Sequence, residues 1–221
     1  LVRYLDSSDA GGIVTSLAGL YYDYIEGNRE TLEVAECDRR LLPGFVVDPR
    51  RPDVAHVDYR AAAKTFRALV LFQCFQPGTP QTWPLTHPAL PGILEKASQV
   101  RLPVVVYVAR GGDVGALSEL ALKVDVPVIA LGLSYGAVNE VITAAGAVDN
   151  LLFGMSLFAA LDNLETLVER LGAERLVYNS GEARLSHGPG LALLEAARID
   201  EKSRELIKTG NARRIFEGAL C

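Results

Sequence analysis

Apolar residues in this chain fall in short continuous blocks and do not alternate with polar ones. Seven blocks read as strands: Ile13–Ala18, Leu42–Val47, Ala68–Cys74, Leu102–Val108, Pro127–Leu131, Leu151–Ser156 and Arg175–Ser180. Most are unbroken Val/Leu/Ile runs, the pattern of strands buried on both faces of a parallel sheet under helices. Between the blocks, apolar positions recur at helical spacing. Pro91–Gln99 carries Ile93, Leu94 and Ala97. Ala116–Lys123 and Leu161–Leu171 repeat the pattern, and Glu201–Glu217 reads as a helix with charges along one side. Strand–helix alternation over the whole length leaves two architectures, a doubly wound open sheet or a (β/α)8 barrel. No GxGxxG follows the first strand, which counts against a dinucleotide-binding sheet. The expected fold is therefore α/β, a TIM-barrel-like parallel barrel in one domain over residues 1–221, near the lower limit of length for such a barrel. Leu1–Ala10 reads as an amphipathic helix where a βα barrel would open on a strand. The expected barrel thus lacks its first strand.

Composition narrows the function classes. Across 221 residues, 49% are hydrophobic and the net charge is −5. A core of that size needs no metal or disulfide for stability, and the acidic balance argues against nucleic acid as a partner. The longest apolar run, LPVVVYVA, falls far short of the roughly 20 residues of a membrane span. The N-terminal stretch LVRYLDSSDAGG carries charges where a secretion signal would be apolar. Cys37, Cys74 and Cys221 make an odd number without metal spacing. Together these features lead to the expectation of a cytoplasmic protein.

Few residues offer chemistry. Gly132-Leu133-Ser134-Tyr135-Gly136 matches the GxSxG nucleophile elbow and sits between a strand and a helix, as that motif requires. Its triad partners are poor, because His187 is the only histidine downstream and the strand-end acid Glu182 lies five residues before it. A glycine-hinged strand–helix turn explains the motif more simply. The loop after the last strand places Glu182 and His187 where a barrel keeps its active-site groups, as a candidate acid/base pair acting on a small carboxylate or lactone. The competing account is a solvated loop. His56 and His87 read as surface or capping residues, and Cys74 as a buried apolar side chain. Tyr21, Tyr22 and Tyr24 are expected in a loop, packing at its rim or stacking on a substrate.

The order VVDPRRP, FRALVLFQCFQ, LPVVVYV, VPVIALGLSYG, RLVYNSGEA and GNARRIFEG resembles the amidohydrolase superfamily, in its branch of metal-dependent hydrolases and decarboxylases. The tail Gly210-Asn211-Ala212-Arg213-Arg214-Ile215-Phe216 is the most specific piece. The resemblance covers nearly all of the chain and implies the barrel. It also implies a divalent metal such as zinc, held by an HxH pair on the first strand, by His on the fifth and sixth strands, and by Asp after the eighth. Here the HxH pair has no counterpart, the fifth-strand position holds Tyr107, the sixth falls at Gly132 or next to it, the Asp position holds Gly181, and the fourth strand has Val70. Each departure removes a donor, so the expectation is a degenerate centre with no bound metal and no retained hydrolase or decarboxylase reaction. A small-molecule ligand is expected at the C-terminal ends of the strands. The open edges left by the missing strand imply a homodimer or a rearranged N-terminal segment.

Overall fold

The computed structural model describes residues 11–73, 83–108, 112–155, 162–180 and 187–216. The expected helix Leu1–Ala10, Cys74, Gly181 and Glu182 lie outside the described residues. Seven strands follow one another: β1 (Gly12–Val14), β2 (Leu41–Val46), β3 (Ala68–Phe72), β4 (Val104–Tyr107), β5 (Val128–Leu131), β6 (Leu151–Gly154) and β7 (Leu176–Val177). All neighbours are parallel, and the spatial order is the chain order. The sheet curls into an incomplete (β/α) barrel, as the unbroken apolar runs predict. Leu69, Leu71, Val106 and Ala130 are at most 1% exposed, and Val70, Val105 and Leu152, of opposite parity, are buried too. Both faces of the sheet are therefore covered. Among the described residues, the outer edges of β1 and β7 have no strand partner.

The first expected strand is the main correction. Only Gly12–Val14 is strand, and the rest of Ile13–Ala18 runs into helix α1 (Leu17–Tyr21). Ser16 causes the switch, because its Oγ accepts from the Ala18 N–H and so caps the helix. Asp23 caps the next helix, α2 (Tyr24–Glu36), through the N–H groups of Ile25 and Glu26. Tyr21 and Tyr24 are thus helical and not in a loop. The two helices cross at Gly19 and Gly27, with backbones so close that a Cβ on Gly19 would lie 3.2 Å from the Gly27 Cα. From α2 the Asn28 side chain reaches β2, donating to the Val46 carbonyl and accepting from the Val46 N–H, each at 2.8 Å. This bond pair serves the end of β2 beyond the last residue paired with β1, Pro43.

Helices α3 (Tyr59–Thr65), α4 (Leu90–Gln99), α5 (Asp113–Ala121), α6 (Val138–Ala147), α7 (Asn163–Leu171) and α8 (His187–Ala196) complete the layer. The expected single helix Glu201–Glu217 is broken. It comprises α9 (Glu201–Glu205), a π-helical turn (Leu206–Gly210) and α10 (Asn211–Phe216). The break serves Asn211, which is fully buried and donates 2.8 Å bonds to the carbonyls of Ala173 and Leu176 at the base of β7. The GNARRIF motif is in physical terms a clamp between the last helix and the last strand. Asn211→Leu strands two buried carbonyls and should cost about 3 kcal/mol. Urea unfolding measures that loss, and wild-type stability would refute the clamp.

Side chains do similar work at the other strand bases. The Asn150 amide donates to the carbonyls of Ala121, Val124 and Val126. The Arg175 guanidinium donates to those of Leu151, Ala145 and Val148. The N-terminal ends of the strands are thus tied off by structural groups, which leaves the C-terminal ends for function.

Candidate functional site

At the C-terminal ends the strands present an unusual set of side chains. Phe72, Tyr107 and Leu131 are register neighbours on β3, β4 and β5. The Phe72 and Tyr107 rings stack, with centroids 4.8 Å apart and planes at 30°. Tyr21 packs edge-on against Phe72 at 6.1 Å, so the aromatic row extends from α1 across the ends of β3 and β4. Next to it, Gly132 has φ +85°, a backbone conformation that favours glycine. A Cβ at Gly132 would lie 2.8 Å from the Tyr107 ring and 2.8 Å from the Val108 carbonyl oxygen. The tyrosine therefore occupies the space that a side chain at 132 would need. On β6, a Cβ at Gly154 would collide with Leu131 and with the Asn179 amide.

The implied metal can be tested against this arrangement. Two of the positions where it would find donors are Tyr107 and Gly132, and with tyrosine at 107 a side chain at 132 has no room. Among the described residues no three His, Cys, Asp or Glu side chains converge. The residues present at these strand ends do not fit a divalent ion. The Gly181 position is outside the described residues, and Val70 is an apolar side chain, 7% exposed.

The expected catalytic residues are distributed as follows. Ser134 is exposed just after β5, ahead of a 3-10 turn (Tyr135–Ala137) and α6. Its φ of −92° and ψ of 172° are ordinary extended values, so the backbone strain of a nucleophile elbow falls on Gly132 and not on the serine. His187 is the first residue of α8, beyond β7. Glu182 is outside the described residues. His56 ends the turn Pro52–His56, and His87 Nδ1 accepts from the Ala89 N–H at 3.3 Å just before α4, a local capping role.

Sequence reasoning missed a second concavity. Beside the ends of β2 and β3, next to the α1–α2 hairpin, lies a small cleft with room for about 30 Å³, lined by Tyr21, Tyr22, Phe72, Trp83, Arg50 and Arg51, with Asp48 among its other residues. Burial of the Asp48 carboxyl works against its charge, but the Arg50 guanidinium more than offsets this and holds it below the usual carboxylate range. The Asp-Pro-Arg-Arg-Pro motif was the available signal, since it sets two arginines directly after a strand.

No protein-family model matches the chain, and no curated protein matches it. Solved structures do. 2,6-Dihydroxybenzoate decarboxylase from Rhizobium has a TM-score of 0.76 at 13% identity, covering 98% of this chain and 87% of its own. An uncharacterised TIM-barrel protein from Bordetella bronchiseptica gives 0.76 at 14% identity over 100% and 82%. 5-Carboxyvanillate decarboxylase from Novosphingobium aromaticivorans, solved with bound manganese, gives 0.68 at 13% over 98% and 80%. The chain shares the barrel fold of these proteins.

Proposed function

We propose that this chain is an amidohydrolase-type barrel that has lost the metal-dependent hydrolase or decarboxylase site and retains a role in binding a small molecule at the C-terminal ends of its strands. The fold neighbours and the tail motif support the type. The loss rests on a single observation, the Tyr107 ring packed where any side chain at Gly132 would begin. Metal affinity in such centres is a sum over several donors, and each missing ligand or support costs tenfold or more. Among the described residues the outer edges of β1 and β7 have no strand partner, and they are the surface on which the expected second copy would sit.

Elemental analysis of the purified protein, by inductively coupled plasma mass spectrometry, tests the proposal. Zinc and manganese should stand far below one ion per chain, both as purified and after incubation with either metal followed by desalting. One tightly held ion per chain, lost on substitution of strand-end residues, would overturn it.

A further inference from the structure

We propose that the concavity at the bases of β5, β6 and β7 is a binding site for a free α-amino acid with an apolar side chain, set at the end of the barrel away from the Phe72–Tyr107 stack. The concavity is open to solvent and has room for about 340 Å³, within the range of about 300–1,000 Å³ that small-molecule sites span. Leu152, Leu171 and Ile215 supply its apolar lining, and Asp149, Glu174 and Arg214 supply charged groups. A ligand that matches both needs an apolar body, an anion and a cation, and an α-amino acid carries all three on one carbon. Catalytic groups of such barrels sit at the C-terminal ends of the strands, so a ligand at the bases is bound and not transformed.

The ties at the strand bases use only some of the charged side chains there. The Arg175 guanidinium is committed to three backbone carbonyls, with its Nη1 3.9 Å from Asp149 Oδ1. Arg214, the second arginine of the GNARRIF motif, is exposed. Its Nη2 donates to the Glu174 carbonyl at 3.1 Å and to Asn211 Oδ1 at 3.3 Å. Asn211 is itself fixed to the base of β7, so the guanidinium is oriented from a rigid point. Among the described residues, Arg214 Nε and Nη1 have no hydrogen-bond partner, which leaves charged donors for a carboxylate. The acceptors are open as well. Asp149 and Glu174 stand just ahead of the neighbouring strands β6 and β7. Neither carboxyl accepts a hydrogen bond among the described residues, and Asp149 is fully exposed. Gly172 makes room for the Glu174 carboxyl, since a Cβ there would collide with it. Arg175 already faces Asp149, so Glu174 is the less compensated charge and the better partner for an ammonium. Arg175 and Arg214 together balance Asp149 and Glu174, so the site favours a ligand whose own charges also cancel. Exposure of these groups to water keeps the affinity modest.

L-Leucine titrated into the intact, nitrogen-15-labelled protein should shift the amide resonances of residues 149–152, 171–175 and 211–215 saturably, and leave those of Phe72 and Tyr107 in place. Three analogues each remove one feature. Glycine lacks the apolar side chain, N-acetyl-leucine the ammonium and leucinamide the carboxylate, and each should bind at least tenfold more weakly. Leucinamide binding as tightly as leucine would reassign the site to amines or peptide N-termini. N-Acetyl-leucine binding as tightly would reassign it to carboxylates or peptide C-termini. Either result would overturn the amino acid. Arg214→Met should weaken leucine at least tenfold and leave leucinamide unchanged. Glu174→Gln should weaken leucine and leave N-acetyl-leucine unchanged. Each variant is thus read against a ligand that does not use the altered group, which separates a lost contact from a lost fold. No saturable shift, shifts confined to the C-terminal ends of the strands, or undiminished leucine binding in both variants would overturn the site. The site lies at the opposite end of the barrel from the metal centre proposed to be lost, so either proposal can fail without the other.

Discussion

Gly27→Ala is expected to destabilise the protein by about 3 kcal/mol, although alanine is the better helix former. In an unconstrained helix the same change gains about 0.5–1 kcal/mol. Here the added Cβ would fall inside the backbone of Gly19, with the Ala18 carbonyl carbon 3.2 Å away. Backbone cannot step aside as a flexible side chain can, so α1 and α2 must separate along their whole contact. Separation also strains the two Asn28–Val46 hydrogen bonds, because α2 carries Asn28. Gly115→Ala in α5 is the control, since no atom lies within 4 Å of its would-be Cβ. That change should gain about 0.5 kcal/mol from helix propensity alone. Urea denaturation of the two variants should therefore give opposite signs. A neutral or stabilising Gly27→Ala would mean that the hairpin is not closed as described. Trp83 offers a second readout, because opening the hairpin should shift its emission as one wall of the cleft moves.

Much of the barrel was legible in the sequence because its signal is local. Ala68–Phe72, Val104–Tyr107, Val128–Leu131 and Leu151–Gly154 are apolar at every or nearly every position, and only strands covered on both sides read that way. The first block misled because its apolar run continues through Ser16, where the chain turns from strand to helix. One hydroxyl on one N–H decides that boundary, and hydropathy does not record it. The tail misled for a similar reason, since a π-helical turn was needed to aim Asn211 at two carbonyls about 35 residues earlier in the chain. The site was legible only position by position. That Tyr107 and Gly132 stand at strand ends follows from the pattern, but that one fills the space of the other is a fact of packing between neighbouring strands. The cleft was not legible, because its ring and guanidinium groups come from α1, β3 and two separate loops. No periodicity links them.

Tyr107 and Gly132 should accordingly behave as one unit. Gly132→Ala alone carries two penalties, a left-handed backbone that costs about 1–2 kcal/mol for a residue with a Cβ and overpacking against the Tyr107 ring of about 1–3 kcal/mol. Tyr107→Ala alone removes a ring 8% exposed and should cost about 3–5 kcal/mol, as large aromatic truncations in cores do. In the double variant the added methyl occupies part of the vacated space, so the ring clash vanishes while the backbone penalty and the 2.8 Å approach to the Val108 carbonyl remain. The double variant should be more stable than the sum of the singles predicts, by about 1–2 kcal/mol. Additive losses in urea unfolding would show that the ring does not occupy the space of a side chain at 132, and the case for a closed metal centre would fall with it. The same coupling governs any route back to a metal site. Gly132→His should lose stability without binding zinc, because an imidazole there meets the tyrosine ring before it can reach an ion. Tyr107→His should relieve the obstruction yet still leave glycine at 132. Regaining both donors therefore requires passing through a destabilised single variant, a barrier of several kcal/mol in a protein whose whole stability is expected to be about 5–15 kcal/mol. If Gly132→His instead folds with wild-type stability and takes up one zinc per chain, the exclusion of a side chain at 132 by the Tyr107 ring is wrong.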